Sequence, residues 1–360
     1  MSTRQRKFYS LELGRGIAAL AVVLYHIDKY YFRSEKYWTD SLFGGLFAFG
    51  HSGVDFFFVL SGFIMIWAHS DDIGKPGRAA SFLKNRTIRI YPLLWASTFA
   101  LFVMYLLVPS AGEAEYRSML TLTESLALFG RDPLGAINFP SWTLWHENLF
   151  YLFCLTIIAR PRLGIFLFGL WSITCAVLGL VGPLEGPGAY ALAPVNSLFC
   201  LGAGAAWWLL KRRLPAPRFI LLIGILGFTA CASFSLSEVG QHKILMHALF
   251  GFSSLLIVAG AVDAERRGLI ALPQFAVGVG ALSYPVYLSH MVTLPPLAKI
   301  LLMLNAPQWL PSPFAGLLMA VCTVLVAWAV HRLFERPVAA WLRKEIGGTH
   351  RDEPPSTASV

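Results

Sequence analysis

Apolar runs recur along almost the whole chain, separated by short polar segments. Ten of them are long enough to cross a bilayer as helices, which takes about 17–25 mainly apolar residues. They cover 11–29, 43–68, 91–108, 141–159, 163–182, 192–210, 219–236, 244–263, 281–303 and 314–333. The pattern predicts an all-α membrane protein, a polytopic bundle of about ten transmembrane helices. Residues 1–346 form one transmembrane domain, and the polar, Pro- and Ser-containing stretch 347–360 reads as a disordered cytoplasmic tail. Leu120 to Phe129 is too short to span and is expected to be an interfacial or re-entrant piece, one further element at most.

Composition agrees with this pattern, with 56% hydrophobic and only 14% charged residues and a mean hydropathy of +0.60. A soluble domain with a single anchor is excluded. Basic residues are distributed unevenly: with a cytoplasmic N-terminus, twenty of the 29 fall in inside segments and seven in outside ones, Arg15 and Arg332 lying within spans. That bias sets orientation, places both termini in the cytoplasm and accounts for the net charge of +9 without a nucleic-acid partner. The first segment carries Arg15 and has no small-residue cleavage site, so it reads as a retained helix rather than a signal peptide. Cys154, Cys175, Cys200, Cys231 and Cys322 lie in apolar segments with no metal or redox spacing, and no metal or permanently bound cofactor is expected.

Ionisable residues inside apolar segments are costly and therefore informative. Arg15 and His26 stand eleven residues apart in the first span, close to three helical turns, so both project from one face about 16 Å apart. One groove could hold both; the alternative is an arginine reaching the headgroups and a histidine bonded within the bundle. Arg86 and Arg89 share a helical face at the cytoplasmic edge of the third span, in Lys84-Asn-Arg-Thr-Ile-Arg-Ile-Tyr-Pro92. They are either part of the positive-inside signal or a guanidinium cluster for phosphate oxygens. Glu147, within Ser141-Trp-Thr-Leu-Trp-His-Glu-Asn-Leu-Phe-Tyr151, is expected about 9 Å inward from the outer end of its helix, at a depth shared with His26. A carboxylate there could orient His26 as a base toward a hydroxyl, or simply pair with His146 or Arg15.

Asp55 lies in Gly53-Val-Asp-Phe-Phe-Phe-Val-Leu-Ser-Gly-Phe63 and needs a partner, as a pocket-wall group or a helix contact. His51 is a candidate for the same cavity, while Gly53 and Gly62 allow close backbone approach. Pro285, in Leu282-Ser-Tyr-Pro-Val-Tyr-Leu-Ser-His290, predicts a bend whose freed backbone Ser283, Ser289 and His290 would serve, with His290 near mid-membrane. Glu335 is expected to pair with Arg332 and Arg336.

Taken together, Arg15-x10-His26, the Gly53–Phe63 segment, Arg86 with Arg89-Ile-Tyr-Pro92, Trp142…Glu147…Tyr151 and Ser283–His290 resemble the acyltransferase family 3 membrane proteins, over roughly residues 8 to 337. The resemblance implies a multi-pass bacterial inner-membrane O-acyltransferase. It would take an acyl group, most commonly acetyl, from cytoplasmic acyl-CoA to a hydroxyl of an extracytoplasmic or lipid-linked glycan. Exopolysaccharide, lipopolysaccharide O-antigen, other envelope glycans and small metabolites are acceptors in proteins of this type, and a polysaccharide precursor is expected here. The family's essential arginine and histidine match Arg15 and His26, and the arginine of its Arg-Ile-Tyr-Pro motif is also implicated. The implied assignment makes His26 and Glu147 catalytic and Arg15, Arg86 and Arg89 acyl-CoA-binding. Asp55, Ser61, Tyr91, Trp142, Tyr151 and His290 then support the pocket. His26 would act as general base or be transiently acylated. The chain ends too soon for the hydrolase-like domain that some members carry, so it is expected to act alone. A transporter or flippase would also carry midplane ions and broken helices, but the halves show no inverted repeat. A receptor or scaffold would have little use for Arg15, His26, Asp55 and Glu147 together.

Overall fold

The computed structural model describes residues 7–32, 38, 40–130, 132–186, 188–235 and 243–346, and the expected tail 347–360 lies outside these. Among the described residues every regular element is helical. The α-helices are α1 (Tyr9–Ile27), α2 (Gly53–His69), α3 (Ala79–Leu107), α4 (Met119–Ala127), α5 (Trp142–Ala159), α6 (Pro161–Val181) and α7 (Ser197–Lys211). They continue with α8 (Pro217–Phe234), α9 (Lys243–Arg266), α10 (Phe275–Met303), α11 (Ala306–Trp309), α12 (Ser312–Val330) and α13 (Arg336–Ile346).

Eight helical segments among the described residues are long and apolar enough to cross a membrane: Tyr9–Phe32, Leu42–His69, Pro76–Leu107, Pro161–Val181, Pro217–Phe234, Ile244–Arg266, Phe275–Met303 and Ser312–Ile346. The sequence pattern predicts ten, and the two that fall short are α5 and α7. Helix α7 has 15 residues, and α5 has 18 but opens on Trp-Thr-Leu-Trp-His-Glu-Asn. Both nonetheless run through the bundle. Phe58 stacks on Phe199, and farther along both helices Arg266 joins the Trp67 ring to the Leu209 carbonyl, so α2 and α7 are parallel. Phe58 also meets Trp142 and His146, while Gly74, beyond the end of α2, donates to the Ile158 carbonyl, so α5 runs the same way. Helix α1 opposes α2, because Gly53 faces Ala18 and Phe8 faces Trp67; α10 parallels α1, because Gly16 faces Val279 and His26 faces His290. Helix α4, nine residues long, is too short to span, as expected, and the Trp95 indole of α3 donates to its Leu126 carbonyl.

Helix α1 carries two candidate residues, so its placement matters. Phe8 precedes it and has no side chain that can cap the first free amides. Glu265 of α9 supplies the cap, accepting from the backbone N–H of Tyr9 at 2.9 Å and of Ser10 at 3.0 Å, and from Ser10 Oγ at 2.6 Å. A carboxylate here also meets the positive end of the helix dipole. At the other end a π-helical turn covers Asp28–Phe32, and Asp28 Oδ1 accepts from Leu42 N at 2.6 Å.

Helices α2 and α7 touch through glycines. A Cβ on Gly62 would collide with the Phe199 carbonyl, and one on Gly202 with the Val59 carbonyl. Around this seam lies an aromatic stack, with Phe58 and Phe150 on either side of Phe199 at 4.7 and 4.4 Å between centroids. We expect Gly202→Ala to destabilise the protein by about 1–3 kcal/mol, the usual cost of overpacking. Gly204→Ala, with nothing within 4 Å of the added carbon, should leave it unchanged. Thermal unfolding of the two variants in detergent tests the seam, and equal midpoints would refute it.

Two polar expectations change. Glu335 accepts from His331 Nδ1 at 2.6 Å rather than pairing with Arg332 and Arg336, because the π-helical turn His331–Glu335 brings positions 331 and 335 together. In α10, Ser283 and Ser289 bond the carbonyls of Gly280 and Pro285, whereas His290 turns to α1.

Candidate active site

One cavity, of about 90 Å³, gathers side chains from five helices. Arg15 comes from α1, Phe57, Phe58 and Ser61 from α2, Arg86 and Arg89 from α3, Thr143, Glu147 and Tyr151 from α5, and Tyr284 and Tyr287 from α10. Helices α2, α3, α5 and α10 each contribute positions three or four apart, the spacing that lines one face, and α1 contributes Arg15 alone. Six expected residues therefore meet here: Arg15, Arg86, Arg89, Glu147, Ser61 and Tyr151.

The cavity is net positive, with three guanidiniums around one carboxylate. Glu147 Oε1 accepts from Tyr151 Oη at 2.5 Å and Ser61 Oγ at 3.2 Å. Arg15 reaches Glu12, one turn earlier, at a long 3.5 Å. Arg86 Nη2 donates to His69 Nε2 at 3.2 Å. Arginine is always a donor, so His69 must carry its proton on Nδ1, which donates to Asp72 Oδ2 at 2.9 Å. Partial burial opposes ionisation of Asp72, yet its bonds to His69 and Arg78 hold its carboxyl below the ordinary carboxylate value. Arg86 lies over the rings of Phe82 and Tyr151, and its Nε is buried without a hydrogen-bond partner. Arg89 makes no ion pair among the described residues. Forked donors in excess over local acceptors suit a phosphate-bearing anion.

His26 stands farther along α1. Its Nδ1 lies 2.8 Å from Nε2 of His290, and the two buried rings are 14° from parallel. A single proton occupies that bond, so one imidazole sets the tautomer of the other. Tyr25, Tyr30 and Phe139 surround His26. His290 lies three residues beyond the cavity wall at Tyr287, about 4.5 Å of helix rise. The imidazole pair thus follows the arginine-lined cavity along α10.

Glu147 is not bonded to His26, contrary to expectation. Helix α5 starts inside the bundle, after a 3-10 turn Phe139–Ser141 whose Pro140 and Ser141 are buried. Ser141 therefore already lies at depth, and Glu147 reaches the level of Ser61 and the arginines. Asp55 also lies off the cavity, taking a hydrogen bond from His247 Nδ1 at 2.7 Å. His51 bonds the Ala48 carbonyl, and Tyr91 packs on Trp95. Trp142 borders a second cavity, together with Tyr190, whose phenol burial raises above its ordinary value.

Sequence reasoning missed the site roles of Tyr284, Tyr287 and Thr143, although two of these stood within the Ser283–His290 segment. It also missed His247, an ionisable residue in an apolar stretch that the argument used for Arg15 and His26 would have flagged, and the His69–Asp72 support of Arg86.

The sequence profile of the acyltransferase 3 family, described as an acyltransferase domain, matches residues 8–332. The exopolysaccharide production protein ExoZ of Rhizobium meliloti (strain 1021) is 29% identical over 316 residues, covering 82% of this chain and 91% of that protein. No solved structure matches the chain.

Proposed function

This chain belongs to the acyltransferase 3 family, and from that premise we propose that it moves an acetyl or related acyl group from cytoplasmic acyl-CoA to a hydroxyl of an exopolysaccharide precursor. The observation that carries the proposal is the placing of Arg15, Arg86 and Arg89 in one cavity, with the His26–His290 pair next along the same helices. The arginines fit the phosphates of CoA. Its extended pantetheine arm fits the separation between Arg15 and His26, about 16 Å. The likeness to ExoZ, an exopolysaccharide production protein, supports the choice of acceptor.

In the direct form, His26 Nε2 takes the proton from a sugar hydroxyl, whose oxygen attacks the thioester carbonyl. The C–S bond breaks, and the CoA thiolate recovers the proton from His26. For that lone pair to be on Nε2, His26 Nδ1–H donates to His290. The covalent form uses the same Nε2 as the nucleophile. An acyl-His26 adduct trapped with acyl-CoA alone would select it. Glu147, which accepts from Ser61 and Tyr151, sets its charge in the cavity of the donor-side guanidiniums rather than on His26. We further propose that both termini face the cytoplasm and that the membrane is the bacterial inner membrane, on the bias of basic residues.

The test uses sealed membrane vesicles loaded with isotope-labelled acetyl-CoA on the cytoplasmic face, with the host's lipid-linked glycans as acceptors. Label should enter the glycan fraction. No transfer and no thioester loss from folded protein would refute the donor, and glycan flux without acetyl-CoA would favour a transporter.

A further inference from the structure

A second cavity, of about 430 Å³, opens at the end of the bundle opposite Arg15, Arg86 and Arg89. Its size falls in the ~300–1,000 Å³ range of small-ligand sites. Trp142 and His146 from α5, Tyr190 from the α6–α7 connection, His247 from α9 and Asp132 from the α4–α5 connection supply its aromatic and polar wall. These connections are outside segments under the proposed orientation.

The wall is held from behind. Asn196 donates through Nδ2 to the carbonyls of Tyr190 and Ala191, at 2.9 and 3.3 Å, so its Oδ1 is the acceptor of the 2.7 Å bond to His146 Nδ1. His146 therefore carries its proton on Nδ1, leaving Nε2 as an acceptor. His247 is fixed by the buried carboxylate of Asp55. Aromatic faces beside imidazole, phenol and carboxylate groups suit a pyranose, with C–H faces that pack on rings and hydroxyls that both donate and accept. An acyl chain would leave these polar groups unanswered.

The two cavities share a wall. On α5, Trp142 and His146 line the second, while Thr143 and Glu147, each one residue on, line the first. Phe58 lines the first and stands between them, its centroid 6.3 Å from Trp142 and 5.7 Å from His146.

We propose that this second cavity is the acceptor subsite and binds a pyranose unit of the glycan that is acylated. The proposal rests on the acyltransferase reading of the first cavity. It is tested in nanodiscs, with tritium-labelled oligosaccharide prepared from chemically deacylated exopolysaccharide as the probe. Tyr190→Ala should raise the KM for this oligosaccharide about tenfold, the effect of losing one well-packed aromatic contact, with the KM for acetyl-CoA unchanged. A photo-crosslinking residue in place of Leu184, on the exposed rim, should capture the labelled glycan in otherwise unaltered protein. An unchanged oligosaccharide KM, or crosslinks to phospholipid alone, would overturn the proposal. Crosslinking reads binding without turnover: glycan capture by protein that consumes no acetyl-CoA would support the subsite while removing the donor reading. Turnover without glycan capture would remove the subsite alone.

Discussion

Replacing His26 by alanine is expected to lower acyl transfer by about 10²–10⁴-fold, the usual contribution of a positioned proton-transfer group. The fold should survive, because α1 is held by Glu265 at its start and by Asp28 beyond its end, neither of which touches the imidazole. His290→Gln should cost less, about 10–100-fold, the range for a group that orients a functional histidine. It should also alter the pH profile of kcat, since the remaining imidazole loses the partner that sets its tautomer. The double variant should be little worse than His26→Ala alone, because residues that act as a unit are not additive. Rates measured at saturating acetyl-CoA decide the matter. A His26→Ala protein with near wild-type turnover would end the assignment, and additive losses would separate His290 from it.

Arg15→Met is expected to raise the KM for acetyl-CoA by about 10–100-fold, corresponding to the roughly 1.5–3 kcal/mol of charge-assisted hydrogen bonds. Arg15→Lys should recover only part, since an ammonium keeps the charge but not the fork. Arg15 is the guanidinium of choice for this test because its contact with Glu12 is a long 3.5 Å, whereas Arg86 is tied through His69 to Asp72 and reports on folding as well. A higher KM for the glycan with an unchanged KM for acetyl-CoA would place Arg15 on the acceptor and overturn the donor role.

Helix content was legible because hydropathy over twenty residues is a strong local signal, and among the described residues eight of the ten expected spans are long and apolar enough to cross a membrane. Helices α7 and α5 fall short for different reasons: α7 has only 15 residues, and α5 gives its first turns to Trp142, Thr143, His146 and Glu147, which face protein rather than lipid. The gathering of Arg15, Arg86, Arg89 and Glu147 was readable as types of residue that must find company in an apolar setting. Which company they find was not. His26 meets a histidine 264 residues away, and Asp55 meets His247, 192 residues away. These are pairings of helix rotation and depth, which no local pattern encodes. The depth of Glu147 failed similarly, because the buried turn at Phe139–Ser141 is invisible to a hydropathy count.

The cap that Glu265 places on α1 bears on how the protein is made. Synthesis proceeds from the N-terminus, so α1 is made well before α9, with the amides of Tyr9 and Ser10 lacking the Glu265 acceptor until residue 265 has been added. His26 waits longer still, for residue 290. A nascent or truncated chain thus contains the arginines of α1 and α3 well before it contains a seated α1 or a paired imidazole. Seating of α1 and pairing of the two imidazoles therefore wait for α9 and α10, and a chain that stops short of them has neither.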